Sequence, residues 1–233
     1  MFPDAPAFSP HKTMNSGKIV CVNELAGWRL NAALLRLAHD YAPPVLALAA
    51  EGNVERFRRK HTIESFAAST AVQAARSLIG YTCPFISSFE ELARRVLEGG
   101  SISLDRPAQV FRDILSLTSL APWSVMAYTR LTLPLTFRTG MAKDVWNGPC
   151  GRLHLEGYPV LCDARSVVAS PVISDDGALV ETDCPEILLV CYAPITVARE
   201  VNAKGYLGWL IHMSAVYRFI EERAFLPREG VKQ

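Results

Sequence analysis

LAPWSVMAYTRLTLPLTFRTGMAKDVWNGPCGRLHLEGYPVLCDA, residues 120–164, is where the pattern changes from amphipathic helix to short strand and polar turn. Before it, apolar residues recur at helical spacing. Within it and after it, Val, Leu, Thr and aromatics come in runs about ten residues apart, broken by Gly140, Gly148, Gly157 and Asp175-Asp176-Gly177. The same stretch interleaves Arg130, Arg138, Lys143 and Arg152 with Trp123, Tyr128, Phe137, Trp146 and Tyr158. Cations beside flat rings suit phosphate contact and base stacking. Each aromatic also has an ordinary reading as strand core.

Working upstream, Asn23 is placed to cap a helix to about His39, with Leu30, Leu34 and Leu37 on one face and Pro43-Pro44 ending it. A second helix runs from about Val45 into Arg56, Arg58, Arg59, Lys60 and His61, with Gly52 and Asn53 as a potential break. Cations there suit a helix C-terminus, and they also suit phosphate. Thr62 caps a third helix, Ile63 to Gly80. Ser88 and Glu91 have capping-box spacing before Phe89, Leu92, Ala93, Val96 and Leu97, and Asp105 with Pro107 opens a fifth helix that ends before Pro122. Residues 1–18 lack periodicity and read as an arm that orders against a partner.

Downstream, expected strands lie in residues 124–131, 133–139, 151–156, 158–162, 166–174, 178–181 and 187–198. Residues 205–225 read as a closing helix. The fold class expected is α+β: a helical region over 19–121, then a mainly antiparallel β-rich region over 122–233, packed as one unit.

The chain has 233 residues, 50% hydrophobic and 20% charged, with a net charge of +1. That balance suits a globular domain with a sizeable core and excludes nucleic-acid binding by bulk charge, so such binding requires a local patch. Six cysteines form no CxxC pair, and no phosphate loop, HExxH or GxSxG motif occurs. No catalytic residue, metal or cofactor is therefore assigned. With no secretory leader pattern and no long apolar run, the expectation is a cytoplasmic protein with reduced thiols and no membrane partner.

Two weak chemical constellations remain. Cys150 or Cys162 with His212 would supply the thiol and imidazole of a Cys-dependent protease. Arg138, Ser170 and Glu186 follow an order that resembles ADP-ribosyltransferases, in which the Arg and Ser hold a dinucleotide and the Glu orients a ribose hydroxyl. Each residue also has a structural reading, His212 as a buried imidazole and the two charges as strand-end surface groups.

Pro122-Trp123-Ser124-Val125, then residues 135–140 (LTFRTG), Asp144, Gly151-Arg152-Leu153 and Pro159-Val160-Leu161 together resemble the small large-subunit-like protein of type IV CRISPR effector complexes. The likeness covers about 45 residues, in spacing and residue type, and it departs from the family in lacking N-terminal CxxC pairs. It implies a non-catalytic subunit of an RNA-guided surveillance complex in antiviral defence, bound to guide RNA, to target DNA near the protospacer-adjacent motif, and to other effector subunits. On residue chemistry, the nucleic-acid face is assigned to Arg130, Arg138, Lys143, Asn147 and Arg152, with Arg58, Arg59 and Lys60 on phosphate. A third alternative is a phage or plasmid structural protein.

Overall fold

The computed structural model describes residues 18–38, 43–80, 87–148, 151–173, 184–214 and 216–228. The expected arm lies outside these apart from Lys18, as do the strand expected at 178–181, the turn at 175–177, and Cys83 and Cys150. The fold is α+β, with helices grouped on one face of a strongly antiparallel sheet.

The helical run is α1 (Pro43–Lys60), α2 (Ile63–Ala67), α3 (Thr70–Ile79), α4 (Ser88–Leu97) and α5 (Pro107–Ser119). Pro43 and Pro44 open α1, where a missing N–H costs nothing, and Gly52 and Asn53 do not break it. Thr62 caps α2 through a box with Ser65, but the helix stops at Ala67 and restarts at Thr70. The cap of α4 is Ser87, whose hydroxyl accepts from the Glu90 N–H, one residue ahead of the box read from the sequence.

The helix expected over residues 23–39 is instead β1 (Cys21–Asn23) and β2 (Trp28–Leu37). Its physical reason is two-sided burial. A strand covered on both faces needs no polar alternation, so Leu30, Leu34 and Leu37 fall at helical spacing by accident. Asn23 caps no helix; its amide donates to the Trp28 carbonyl at 2.8 Å and its carbonyl accepts from the Leu25 N–H at 3.0 Å, closing the turn between the strands.

After α5 come β3 (Trp123–Ala127), a 3-10 turn (Tyr128–Arg130), β4 (Leu135–Thr139), β5 (Val145–Gly148), β6 (Gly151–His154), β7 (Pro159–Cys162), β8 (Val167–Ala169) and β9 (Glu186–Pro194). The chain then forms α6 (Ala198–Val201), α7 (Ala203–Ser214) and β10 (Tyr217–Phe225). The closing helix expected over 205–225 therefore ends at Ser214. Although EERA favours helix, β10 pairs with β2 from Tyr217↔Leu37 to Phe225↔Leu30, and that long-range ladder overrides local propensity.

One sheet has the order β10-β2-β9-β3, all antiparallel, so strands from both ends of the chain share it. A second has the order β1-β4-β7-β8, antiparallel except for the parallel β1–β4 pair. Residues alternate across the first sheet. Ala33, Leu35, Val125, Ile187, Leu189 and Cys191 face the helices, with Phe111, Ile114 and Leu210 among their partners. Leu30, Leu34, Met126, Leu188 and Tyr192 face the second sheet, against Leu135, Phe137 and Leu161. The outer face of that second sheet is covered in turn by a β5–β6 ribbon, through Leu155, Val160, Cys162, Val167, Val172 and Ile173. Helices, sheet, sheet and ribbon thus stack in that order, except that α3 runs down the side of the stack, with Val72 in the helical core, Ala75 against the core between the sheets and Ile79 against the cluster beneath the ribbon.

Candidate nucleic-acid interface

The ribbon begins where β4 ends, and its base is stitched at several points. The Gly140 N–H donates to the Tyr158 carbonyl at 2.7 Å and its carbonyl accepts from Gly157 at 2.9 Å; the Leu155 N–H donates to the Asp144 carbonyl at 3.0 Å. Only glycine fits at 140, since a Cβ there would sit 1.9 Å from the Leu155 carbonyl oxygen.

Arg138, on the outer face of β4, reaches the same base. Its Nη1 lies 2.5 Å from Asp144 Oδ2 and its Nη2 lies 3.2 Å from Oδ1, while Nη1 also donates to the Thr139 carbonyl at 3.0 Å. The Met141 N–H adds a bond to Asp144 Oδ2 at 2.7 Å. Both side chains are largely enclosed, 16% and 8% exposed. The guanidinium holds the Asp144 carboxyl below its usual range, and the carboxylate raises Arg138.

Cross-strand register then sorts the ribbon into two faces. Trp146 pairs with Leu153, and both pack onto the second sheet. Asn147 pairs with Arg152 and Val145 with His154, which puts Asn147, Arg152 and His154 on the opposite, exposed face. Lys143 is exposed at the turn leading into β5. The result is a two-stranded ribbon with an apolar underside and an upper face of amide, guanidinium and imidazole.

No family model and no curated protein matches the chain. Among solved structures, the chain is similar to an N-terminal fragment of the phenylalanyl-tRNA synthetase β-subunit from Pyrococcus horikoshii, with a TM-score of 0.47 and 10% identity over 94% of this chain and 54% of that one. The chain spans about half the length of that fragment.

Of the residues assigned to a nucleic-acid face from the sequence, Lys143, Asn147 and Arg152 come together on the ribbon. Arg138 does not join them; it is spent on Asp144, because its strand position faces the ribbon base rather than solvent. Arg130 is exposed in the 3-10 turn that precedes β4. Arg58 is also committed, its Nε donating to the Val96 carbonyl at 2.9 Å and its Nη2 to the Gly100 carbonyl at 2.6 Å. Arg59 and Lys60 are exposed at the C-terminal end of α1, on a different element from the ribbon. The eight residues therefore do not form one surface. His154 was missed; the alternation of Arg152, Leu153 and His154 was the available signal.

The groups weighed for catalysis are apart as well. Cys162 lies under the ribbon, whereas His212 is exposed on α7 in the helical layer, so the two do not pair; the imidazole is not buried. Ser170 donates to the Pro159 carbonyl at 2.6 Å, one strand beyond the β7 residues that pair with Arg138 and Thr139, while Glu186 binds Arg36 at 2.6 Å in the other sheet, so the three are not joined. Among the described residues no three His, Cys, Asp or Glu side chains converge on a metal-sized site, and no helix is long and apolar enough to cross a membrane.

Proposed function

We propose that the chain is a nucleic-acid-binding protein without chemistry of its own, which presents the β5–β6 ribbon to a groove of duplex DNA. The observation that carries this reading is the cross-strand pairing of Asn147 with Arg152 on the exposed face of a ribbon anchored from beneath by Trp146 and Leu153. A two-stranded ribbon fits a major groove, where Arg pairs with guanine and Asn with adenine, and an anchored ribbon loses little freedom on docking. Lys143 beside it supplies a phosphate contact that positions without reading.

The type IV CRISPR subunit is the narrower form of this reading. It rests on the resemblance of residues 122–161 and on no feature of the geometry. Guide RNA, target DNA and fellow effector subunits are the partners it requires.

Fluorescence anisotropy on short duplexes tests the ribbon. Arg152→Ala and Asn147→Ala should each weaken binding to a preferred sequence roughly 5- to 100-fold and flatten sequence preference. Lys143→Ala should weaken all sequences alike and reduce the salt dependence by about one unit of slope. Unchanged affinity in Arg152→Ala at low salt would remove the ribbon. Purification from a host carrying the neighbouring genes tests the narrower form, which requires co-eluting RNA and protein subunits.

A further inference from the structure

The two edges of the first sheet differ. β3, at one edge, is buried throughout, whereas β10, at the other, leaves Phe219 45% exposed and Ala224 exposed beyond it. Hydrogen bonds at the end of β2 show which way each residue turns its backbone. The Ala38 N–H donates to the Val216 carbonyl at 2.8 Å, while the Leu37 N–H donates at 2.9 Å to Pro185, just before β9, so alternate residues of β2 serve its two neighbours. Even-numbered residues of β2 therefore bond β10, and their partners Arg218, Glu221, Arg223 and Phe225 turn their backbone groups inward. Phe219, Glu222 and Ala224 turn theirs outward. Among the described residues no hydrogen bond reaches them there.

The same register sorts the side chains. Phe219 lies opposite Leu35 and Glu222 opposite Ala33, on the helix face, where Glu222 meets the exposed Lys204 of α7 at 3.4 Å. Glu221 and Arg223 lie opposite Leu34 and Ala32, on the face toward the second sheet, and form an ion pair with each other. The irregularity between Phe219 and Glu221, and three charges in a row, protect this edge against an arbitrary strand. They suit a second copy of the same strand. Laid antiparallel about a two-fold axis through Glu222, β10 meets itself with Phe219 opposite Ala224, large against small, and Glu221 opposite Arg223, each pair formed twice. All three outward residues of each strand then find a backbone partner in the other. At the axis the two Glu222 carboxylates approach, with a Lys204 on each side to offset them.

We infer that the chain associates with a second copy of itself through β10, joining the two four-stranded sheets edge to edge into one antiparallel sheet. The charges decide for a second copy. Glu221 and Arg223 from both strands balance on one face, and Glu222 with Lys204 from both protomers balance on the other. A foreign strand would have to bring the same order of charges to match them. The outward pairs supply about six backbone hydrogen bonds across the axis, since each such pair in an antiparallel ladder exchanges two. The inference uses different residues from the ribbon and does not depend on it; a two-fold dimer would present one ribbon on each protomer.

Sedimentation equilibrium of the full chain over roughly 1–100 μM tests the association. The unaltered chain should be dimeric at the upper end of that range. Ala224→Pro removes an outward N–H that the fold itself does not use, and should weaken association at least about 10-fold while the circular dichroism spectrum stays native. The register is tested by oxidation of cysteine variants, with the unaltered chain as the background for its own thiols. Glu222→Cys sets two thiols opposite each other at the axis, within disulfide reach, and should give a covalent dimer. Ala224→Cys, whose two copies stand about 13 Å apart along the strands, should not. A monomer at every concentration, or a dimer that Ala224→Pro leaves intact, overturns the proposal. A dimer that crosslinks through Ala224→Cys and not through Glu222→Cys overturns it as well, because the axis then lies elsewhere.

Discussion

Arg138 grips Asp144 in a two-pronged ion pair across the base of the ribbon, six residues apart in the chain and almost wholly enclosed. A guanidinium that the sequence offers as a DNA contact is thereby a hinge pin for the segment that carries the contact. Asp144→Ala leaves that guanidinium enclosed without its counter-charge, and should cost on the order of 3 kcal/mol. Replacing both partners with apolar residues should cost less than the single change. Urea denaturation of the two single variants and the double variant measures both statements.

Acid should loosen the same base. Arg138, with the Met141 N–H, depresses Asp144. For Asp163, burial pushes the carboxyl up, but bonds from the Ser166, Arg165 and Thr132 backbone N–H groups outweigh it and the net shift is down. A carboxyl depressed in the folded state stabilises fully above its unfolded value, here near 3.8, and loses that contribution as pH falls through the lower folded value. Thermal melts should therefore decline steeply below about pH 4, and Asp144→Asn should decline less steeply. Parallel curves for the two proteins would show that the pair carries no pH dependence.

How far the sequence was legible follows from the range of each interaction. The apolar face of α4, with Phe89, Leu92, Ala93 and Val96 all buried, was readable because spacing alone defines it. β2 was misread because Ala32, Ala33, Leu34 and Leu35 are buried on both faces and hide its period, although the alternation Trp28-Arg29-Leu30-Asn31 at its start was a signal. β10 was hidden by helix-favouring Glu221, Glu222 and Arg223, whose fate is decided by β2 almost two hundred residues away. At the site, the chemistry of Asn147 and Arg152 could be read from residue type. The commitments of Arg138 and Arg58 could not, since neither the strand face nor the approach of α4 to α1 is written locally.

Two glycines should respond in opposite directions to alanine. At Gly140 the added carbon meets a backbone oxygen that cannot swing away, so Gly140→Ala should cost roughly 3 kcal/mol or more and detach the ribbon. At Gly52, within α1, an added Cβ meets nothing within 4 Å. Gly52→Ala should therefore stabilise by about 0.5–1 kcal/mol through helix propensity, raising the melting temperature by roughly 1–4 °C. Calorimetry on the pair decides both.

Arg58 and Arg59 are adjacent yet should behave differently. Arg58→Ala strips two carbonyls of a charged donor and should cost about 1.5–3 kcal/mol. Arg59→Ala removes a solvated charge and should change stability by less than about 0.5 kcal/mol. Equal losses in denaturant midpoint would contradict the brace between α1 and α4.

The thiols report whether the ribbon lifts. Burial beneath it pushes Cys162 up to about 11, with the Arg138 guanidinium offsetting only part of the effect, and Cys162 is 5% exposed. Cys191, at the centre of the first sheet, is also pushed up by burial. At pH 8 both should be protonated and sterically shielded, so iodoacetamide labelling mapped by mass spectrometry should proceed at least ~100-fold more slowly in the native protein than in urea. The two sites should part company in Asp144→Ala, where a loosened ribbon uncovers Cys162 while the sheet still covers Cys191. Fast native labelling of Cys162 in the unaltered chain would mean that the ribbon opens on its own, and the anchored platform proposed for DNA contact would be lost with it.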